Sequence, residues 1–336
     1  MRRALVLAFA LVACGGSSAV PNDGGNNTDA AEDASPADSG APRDAAVFDA
    51  PADAAATLGK YDKDGPDSVT TANAQLTSGP STFTERLWVP GSSGPHPVVS
   101  LSPGLQQPAI AYAPYGKRLA SWGFVVMMRD DPGVLVQTPT VAADLAYAIG
   151  TWLPAANADA QSPLFGKVDA ARVGLAGHSR GGQATLVAAE GGLKGKVKAW
   201  FGLDPVDSNV SNAQARTNLP QIGIPTTFLG ATVSGACSPM ADNYTVLYGL
   251  APSPAVRIDG LGAGHVQFED PATCVLCGLC SPAGTADSAV VLAYSVRYLT
   301  AFFARELQSD ASVGAAFQGA GAALDVAANR VTIASK

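Results

Sequence analysis

The sequence predicts an α/β fold in which a mostly parallel central sheet is flanked by helices on both faces. Three features predict it. Short apolar runs of strand length alternate along the chain with stretches of helical periodicity. The run Pro97-Val98-Val99-Ser100-Leu101-Ser102 reads as a strand buried on both sides. A glycine-bracketed junction, Gly177-His178-Ser179-Arg180-Gly181, directly follows the apolar run Ala171 to Ala176, where a strand would pass into a helix. The stretch Thr57 to Lys336 suits one sizeable domain of this class, with a full core and no internal repeat.

Taken in order, Thr82-Phe83-Thr84-Glu85-Arg86-Leu87-Trp88-Val89 alternates as an antiparallel strand with one solvated face. The buried strand 97–102 leads into a glycine-containing turn at Pro103-Gly104-Leu105. A helix from about Pro114 to Ser121 precedes strand Phe124 to Met128, and a second helix runs from about Thr140 to Trp152. Strand Arg172 to Ala176 turns at Ser179 into a helix from about Arg180 to Glu190. Strands Val197 to Leu203 and Thr226 to Leu229 follow, then a last strand near Ala255 to Ile258, a glycine-rich loop at 260–264, and a long helix from about Ala286 to Leu307. Trp122 and Trp152 fall at positions expected to pack in the core. On such a sheet, chemistry gathers at the carboxyl ends of the strands.

The N-terminal residues read differently. Met1-Arg2-Arg3, an apolar run from Ala4 to Ala13 and then Cys14 have the flanks and length of a bacterial signal peptide, too short to span a bilayer comfortably. Residues 14–56 contain almost no large apolar side chain and are expected to be a disordered Ala/Asp-rich linker. Eight carboxylates from Asp23 to Asp53 stand there against Arg43, an acidic excess equal to the whole chain's formal charge of −7. The acidity therefore belongs to a self-repelling tether, says little about substrate, and argues against nucleic acid as a partner. Beyond Cys14, Cys237, Cys274, Cys277 and Cys280 are an even set in an exported chain, so two disulfides with three possible pairings are expected, the alternative being a trapped metal.

The glycine-bracketed junction carries the chemistry. A serine hydroxyl is a poor nucleophile until a strained turn exposes it and a base takes its proton. Gly-x-Ser-x-Gly between strand and helix is the nucleophile elbow of the α/β-hydrolase fold, with Ser179 at its tip. The chain has three histidines. His96 lies on the entrance side of a strand and His178 is the elbow residue beside the serine, which leaves His265, in a loop after the last strand and before the final helix, as the base. A carboxylate must orient that imidazole. The usual position, after Leu229-Gly230, offers no acid. One strand earlier, Leu203-Asp204-Pro205-Val206-Asp207 offers two, with Asp204 first, Asp207 second and Asp242 third in order. The oxyanion needs two backbone N–H donors, expected from Leu105 and Arg180; the Arg180 side chain is expected to pack or form a salt bridge.

These motifs carry a resemblance. Gly177 to Gly182, Asp204-Pro205-Val206-Asp207, and Gly264-His265 followed by Asp270 resemble the chlorophyllase branch of the α/β-hydrolases. Val99 to Gly104 and Ser121 to Val126 are similar to bacterial cutinases, polyester hydrolases and the dienelactone-hydrolase-like group. The resemblance spans about Ser81 to Leu307 and implies a triad of Ser179, Asp204 and His265. It departs at Leu105, where the polyester hydrolases carry an aromatic residue, and at Ser234, where they carry an acid. Leu11-Val12-Ala13-Cys14 resembles a lipobox, which implies a lipid on Cys14, and Gly15 after it suits the outer membrane. The expectation is a lipid-anchored, monomeric serine ester hydrolase of the cell envelope that needs no metal or organic cofactor. An amidase or thioesterase of the same fold, or a catalytically silent surface binding lipoprotein, are the alternatives.

Overall fold

In the computed structural model, the described residues are 59–130, 136–208, 215–272, 278, 280–314, 317 and 320–336. The expected signal peptide, Cys14 with its lipid, the linker 14–56, and Cys274 and Cys277 lie outside them. All described residues fall in one compact unit, Asp49–Lys336.

Among the described residues nine strands form one sheet: β1 (Val69–Ser78), β2 (Ser81–Pro90), β3 (His96–Ser102), β4 (Val125–Asp130), β5 (Val168–His178), β6 (Val197–Leu203), β7 (Thr226–Val233), β8 (Ala255–Gly264) and β9 (Val331–Ser335), in the spatial order β1-β2-β4-β3-β5-β6-β7-β8-β9. The six strands from β4 to β8 in that order are parallel, and β1, β2 and β9 pair antiparallel at the two edges. β1 and β2 close a two-residue hairpin at Gly79-Pro80, where Gly79 takes φ +56° and the proline ring fixes the next φ negative. β1 is largely polar, with Thr70, Thr71, Asn73, Gln75 and Thr77 exposed.

Helices cover both faces. On one lie α1 (Ala113–Ser121) and the 21-residue α7 (Ser288–Gln308); on the other lie α2 (Thr138–Tyr147), α3 (Leu153–Ala158), α4 (Arg180–Glu190), α5 (Ala215–Asn218) and α6 (Tyr244–Leu250). α8 (Ala320–Ala327) precedes β9. Adjacent strand residues point to opposite faces. Val98, Val125, Leu175, Trp200 and Phe228 accordingly enter one apolar layer, and Val99, Val126, Ala176, Phe201 and Leu229 the other. Burial on both faces is why the central strands read as continuous apolar runs.

Three expectations are corrected. The strand near Ala255 is not the last, because Val331–Ser335 adds β9 beyond it, pairing Val256 to Gly260 antiparallel. The glycine-rich segment 260–264 is not a loop but the end of β8, which pairs with β7 as far as Val233↔Gly264. The second helix does not stop at Trp152: a π-helical turn at Ala148–Trp152 carries it directly into α3. Trp122 is half-buried, edge-on to Tyr61 with ring centroids 4.8 Å apart. No helix among the described residues is long and apolar enough to cross a membrane.

Candidate active site

The site forms where parallel strands end side by side. His178 ends β5 opposite Leu203, which ends β6 opposite Leu229 of β7. The ladder runs one residue further: Ser179 N–H donates to Leu203 O at 3.1 Å and Asp204 N–H to Leu229 O at 2.6 Å. Ser179 and Asp204 are therefore neighbours across the sheet edge, although 25 positions separate them in the numbering.

Ser179 takes φ +55° and ψ −125°, a region that L residues rarely occupy and that costs about 1–3 kcal/mol. The glycines around it are required by close approach. A Cβ on Gly177 would lie 2.3 Å from Gly181 O, and one on Gly181 would lie 2.1 Å from Ser102 O. Pro205 packs against Gly182, and Val206 N–H donates to Ser179 O at 3.2 Å, so the acid-bearing turn is locked onto the elbow.

His265 follows β8. Its Nε2 lies 2.9 Å from Ser179 Oγ and its Nδ1 2.6 Å from Asp204 Oδ2. Asp204 is fully buried, with φ +37°, and its Oδ1 accepts the Ala231 N–H at 3.1 Å. β7 lies between the acid and the base and holds the acid from both sides, through Leu229 O on its backbone amide and the Ala231 N–H on its side chain. Gly230, within β7, lies under the ring of Tyr244, which a Cβ there would meet at 2.0 Å.

Asp207 and Asp242, the other carboxylates of the sequence reading, face elsewhere. Asp207 accepts from Gln183 Nε2 at 2.8 Å and from Arg216 N and Nε at 3.0 and 2.9 Å, and Asp242 accepts from the same guanidinium at 2.6 Å. His96 begins β3 with Nε2 3.2 Å from Ser92 O. Leu105 sits in the turn after β3, 39% exposed, between Gly104 and Gln106, and Gln107 N–H closes that turn on Gly104 O at 3.2 Å. Arg180 is the first residue of α4, whose leading amides have no intrahelical acceptor; its side chain donates to Val136 O.

Several residues around the site had no role in the sequence reading. Gln267 accepts the Gly264 N–H at 2.8 Å and donates to Ala286 O at 2.7 Å and Ser288 Oγ at 2.8 Å, stapling the His265 turn to the start of α7. Its position three residues after Gly264 is the spacing of a cap, the one local signal available. Tyr112 and Glu269 lie 157 positions apart, a pairing no local pattern announces. Burial first, and the Glu269 carboxylate second, hold the Tyr112 phenol well above its ordinary pKa, so it keeps its proton. The loop carrying His265 is closed by a disulfide, Cys237–Cys280, with Cα atoms 4.9 Å apart. This is one of the pairs open to the even cysteine set.

Residues 44–273 match the PETase family, described as PET hydrolase-like, and Ser179, Asp204 and His265 all fall inside the match. The chain is 28% identical to cutinase 1 of Thermobifida cellulosilytica over 189 residues, 56% of this chain and 67% of the cutinase. It is 28% identical to a cutinase of Thermobifida fusca over 56% of this chain and 58% of that protein. A bis(hydroxyethyl) terephthalate hydrolase of Streptomyces coelicolor is 30% identical over 166 residues, 49% of this chain and 48% of the hydrolase. The matched stretch spans roughly half to two thirds of the length of these relatives. With an α/β sheet of this order and a family match over more than half its length, the chain belongs to the PET hydrolase-like family.

Proposed function

We propose that the protein is a serine carboxylic ester hydrolase that works through an acyl-enzyme. The observation that carries the reading is the unbroken line from Ser179 Oγ through His265 to Asp204, with contacts of 2.9 and 2.6 Å. Asp204 accepts only, so the imidazole presents its proton to it at Nδ1 and a lone pair at Nε2. Ser179 Oγ attacks the ester carbonyl as Nε2 takes its proton; the imidazolium then returns that proton to the departing alcohol. The developing oxyanion is held by the Leu105 and Arg180 N–H groups. Water activated by the same imidazole attacks the acyl-enzyme and releases the acid.

The bis(hydroxyethyl) terephthalate hydrolase among the relatives makes an aromatic dicarboxylic ester a substrate to assay once ester turnover is established. The sequence of residues 1–14 supports export and lipid attachment at Cys14, which would place the domain on the cell envelope at the end of an acidic tether. The test is hydrolysis of a short-chain nitrophenyl ester beside the matching amide and thioester. The ester is expected to turn over fastest, Ser179→Ala to abolish turnover, and a fluorophosphonate to label Ser179. Ester hydrolysis that survives Ser179→Ala overturns the assignment, and a folded parent protein that neither labels nor turns over marks a binding module instead.

A further inference from the structure

A second imidazole lies beside the first. The rings of His178 and His265 have centroids 4.8 Å apart, and His178 is 1% exposed. Its Nε2 lies 2.9 Å from the backbone oxygen of His265, an acceptor only, so Nε2 carries a proton and donates it there. Its Nδ1 lies 2.7 Å from the Tyr112 hydroxyl oxygen, and that oxygen accepts the Gly104 N–H at 3.0 Å. Glu269 Oε1 completes the cluster at 3.2 Å from both the phenol and Nδ1. Among the described residues these are the only side-chain partners of that buried carboxyl. Gly104 packs so closely on the pair that a Cβ there would meet His178 Nδ1 at 3.1 Å and the Tyr112 oxygen at 3.2 Å.

Two chain segments with opposite duties are thus tied through one side chain. Gly104 precedes Leu105, whose amide is assigned to the oxyanion, and His265 supplies the base. Neither contact touches the reacting atoms. We propose that His178, held by Tyr112 and Glu269, is a positioning residue that sets the oxyanion turn and the turn of the base at a fixed separation around Ser179. The inference rests on the serine hydrolase reading above. Preorganised donors act at full strength only when they need not move during reaction, so a turn released from Tyr112 stabilises the oxyanion less while binding the ground state equally well.

The experiment compares a nitrophenyl ester with its thionoester, in which sulfur replaces the carbonyl oxygen. Sulfur accepts hydrogen bonds weakly, so the ester-to-thionoester ratio of kcat reads how well the oxyanion donors are placed. In Tyr112→Phe, which removes one oxygen, ester kcat is expected to fall about tenfold with KM within about twofold, and the ratio to shrink. His178→Gln, which can keep a donor toward the His265 carbonyl, is expected to retain more activity than His178→Ala. A folded Tyr112→Phe with an unchanged ratio overturns the proposal, whether both rates are intact or both fall equally. If Tyr112→Phe does not fold, Glu269→Gln carries the same readout. Failure of the underlying reading registers separately, as a parent protein inactive on both substrates.

Discussion

Replacing Asp204 with asparagine should stop catalysis by trapping the base in the wrong tautomer. The structure dictates which way the new amide must face. Asp204 Oδ1 accepts the Ala231 N–H at 3.1 Å, so the asparagine oxygen stays there and its NH2 group takes the place of Oδ2, 2.6 Å from His265 Nδ1. A donor at that point requires a lone pair on Nδ1. The proton then moves to Nε2, which donates to Ser179 Oγ across the 2.9 Å contact and can no longer accept from it. Flipping the amide restores the productive tautomer but sets NH2 against the Ala231 N–H at a fully buried position, at about 1–3 kcal/mol for the unpaired donor. The lost carboxylate charge, which balances the imidazolium, is not restored by the flip. Together these give a loss of about 10³ to 10⁴ in kcat, or about 4 to 5.5 kcal/mol of transition-state stabilisation. The assay is kcat on a nitrophenyl butyrate, with near-UV circular dichroism and thermal melting to show an intact fold. Asp207→Asn is the control: its one remaining oxygen can keep either the Gln183 or the Arg216 contact but not both, so it should lower the melting temperature with kcat changed only a few-fold. A folded Asp204→Asn protein within about tenfold of the parent kcat would refute the tautomer argument.

Other expectations follow from packing and charge. Gly181→Ala puts a Cβ 2.1 Å from Ser102 O, a backbone atom that cannot swing aside, and should cost about 1–3 kcal/mol or more in urea unfolding; a neutral result would mean the β3 and elbow backbones are not in contact. Burial alone would raise the Asp310 pKa, but hydrogen bonds from Lys60, Ser312 and Tyr61 outweigh it and hold the carboxyl well below its ordinary value. Its stabilising effect is therefore full above the unfolded value of about 4 and lost as pH falls below that, so Asp310→Asn should flatten the fall in melting temperature between about pH 5 and pH 3. A curve parallel to the parent's contradicts this. The Cys237–Cys280 bridge spans 43 positions and includes the base, so replacing both cysteines with alanine should lower stability by up to about 4 kcal/mol in denaturant titration under oxidising conditions.

The central sheet was legible because strands covered on both faces must be apolar throughout, and the elbow because its glycines answer to a local steric demand. Strand β6, helix α4 and the start of β8 accordingly lie at the residues the sequence indicates. The edge strands were not legible. β1 is half polar and β9 is five residues long, so neither carries the apolar run that marks a buried strand. The glycines of 260–264 read as a loop, yet pairing with β7 and β9 keeps that segment extended. Within the candidate site, Ser179, His265 and the order of Asp204 before Asp207 follow from position along the chain, whereas the direction in which each carboxylate faces is set by the finished sheet. The triangle of Tyr112, His178 and Glu269 was invisible, because it joins positions that only the finished sheet brings together.

The make-up of β1 has a consequence for how the molecule behaves in company. An outermost strand offers unpaired amides and carbonyls that can template growth onto a neighbouring copy. Threonine, asparagine and glutamine side chains along that border, alternating with small or half-covered ones, present no greasy ribbon for another copy to seal against. Many copies can then crowd onto one support without fusing into fibres, and replacing Thr71, Asn73 and Gln75 with valine should remove that protection.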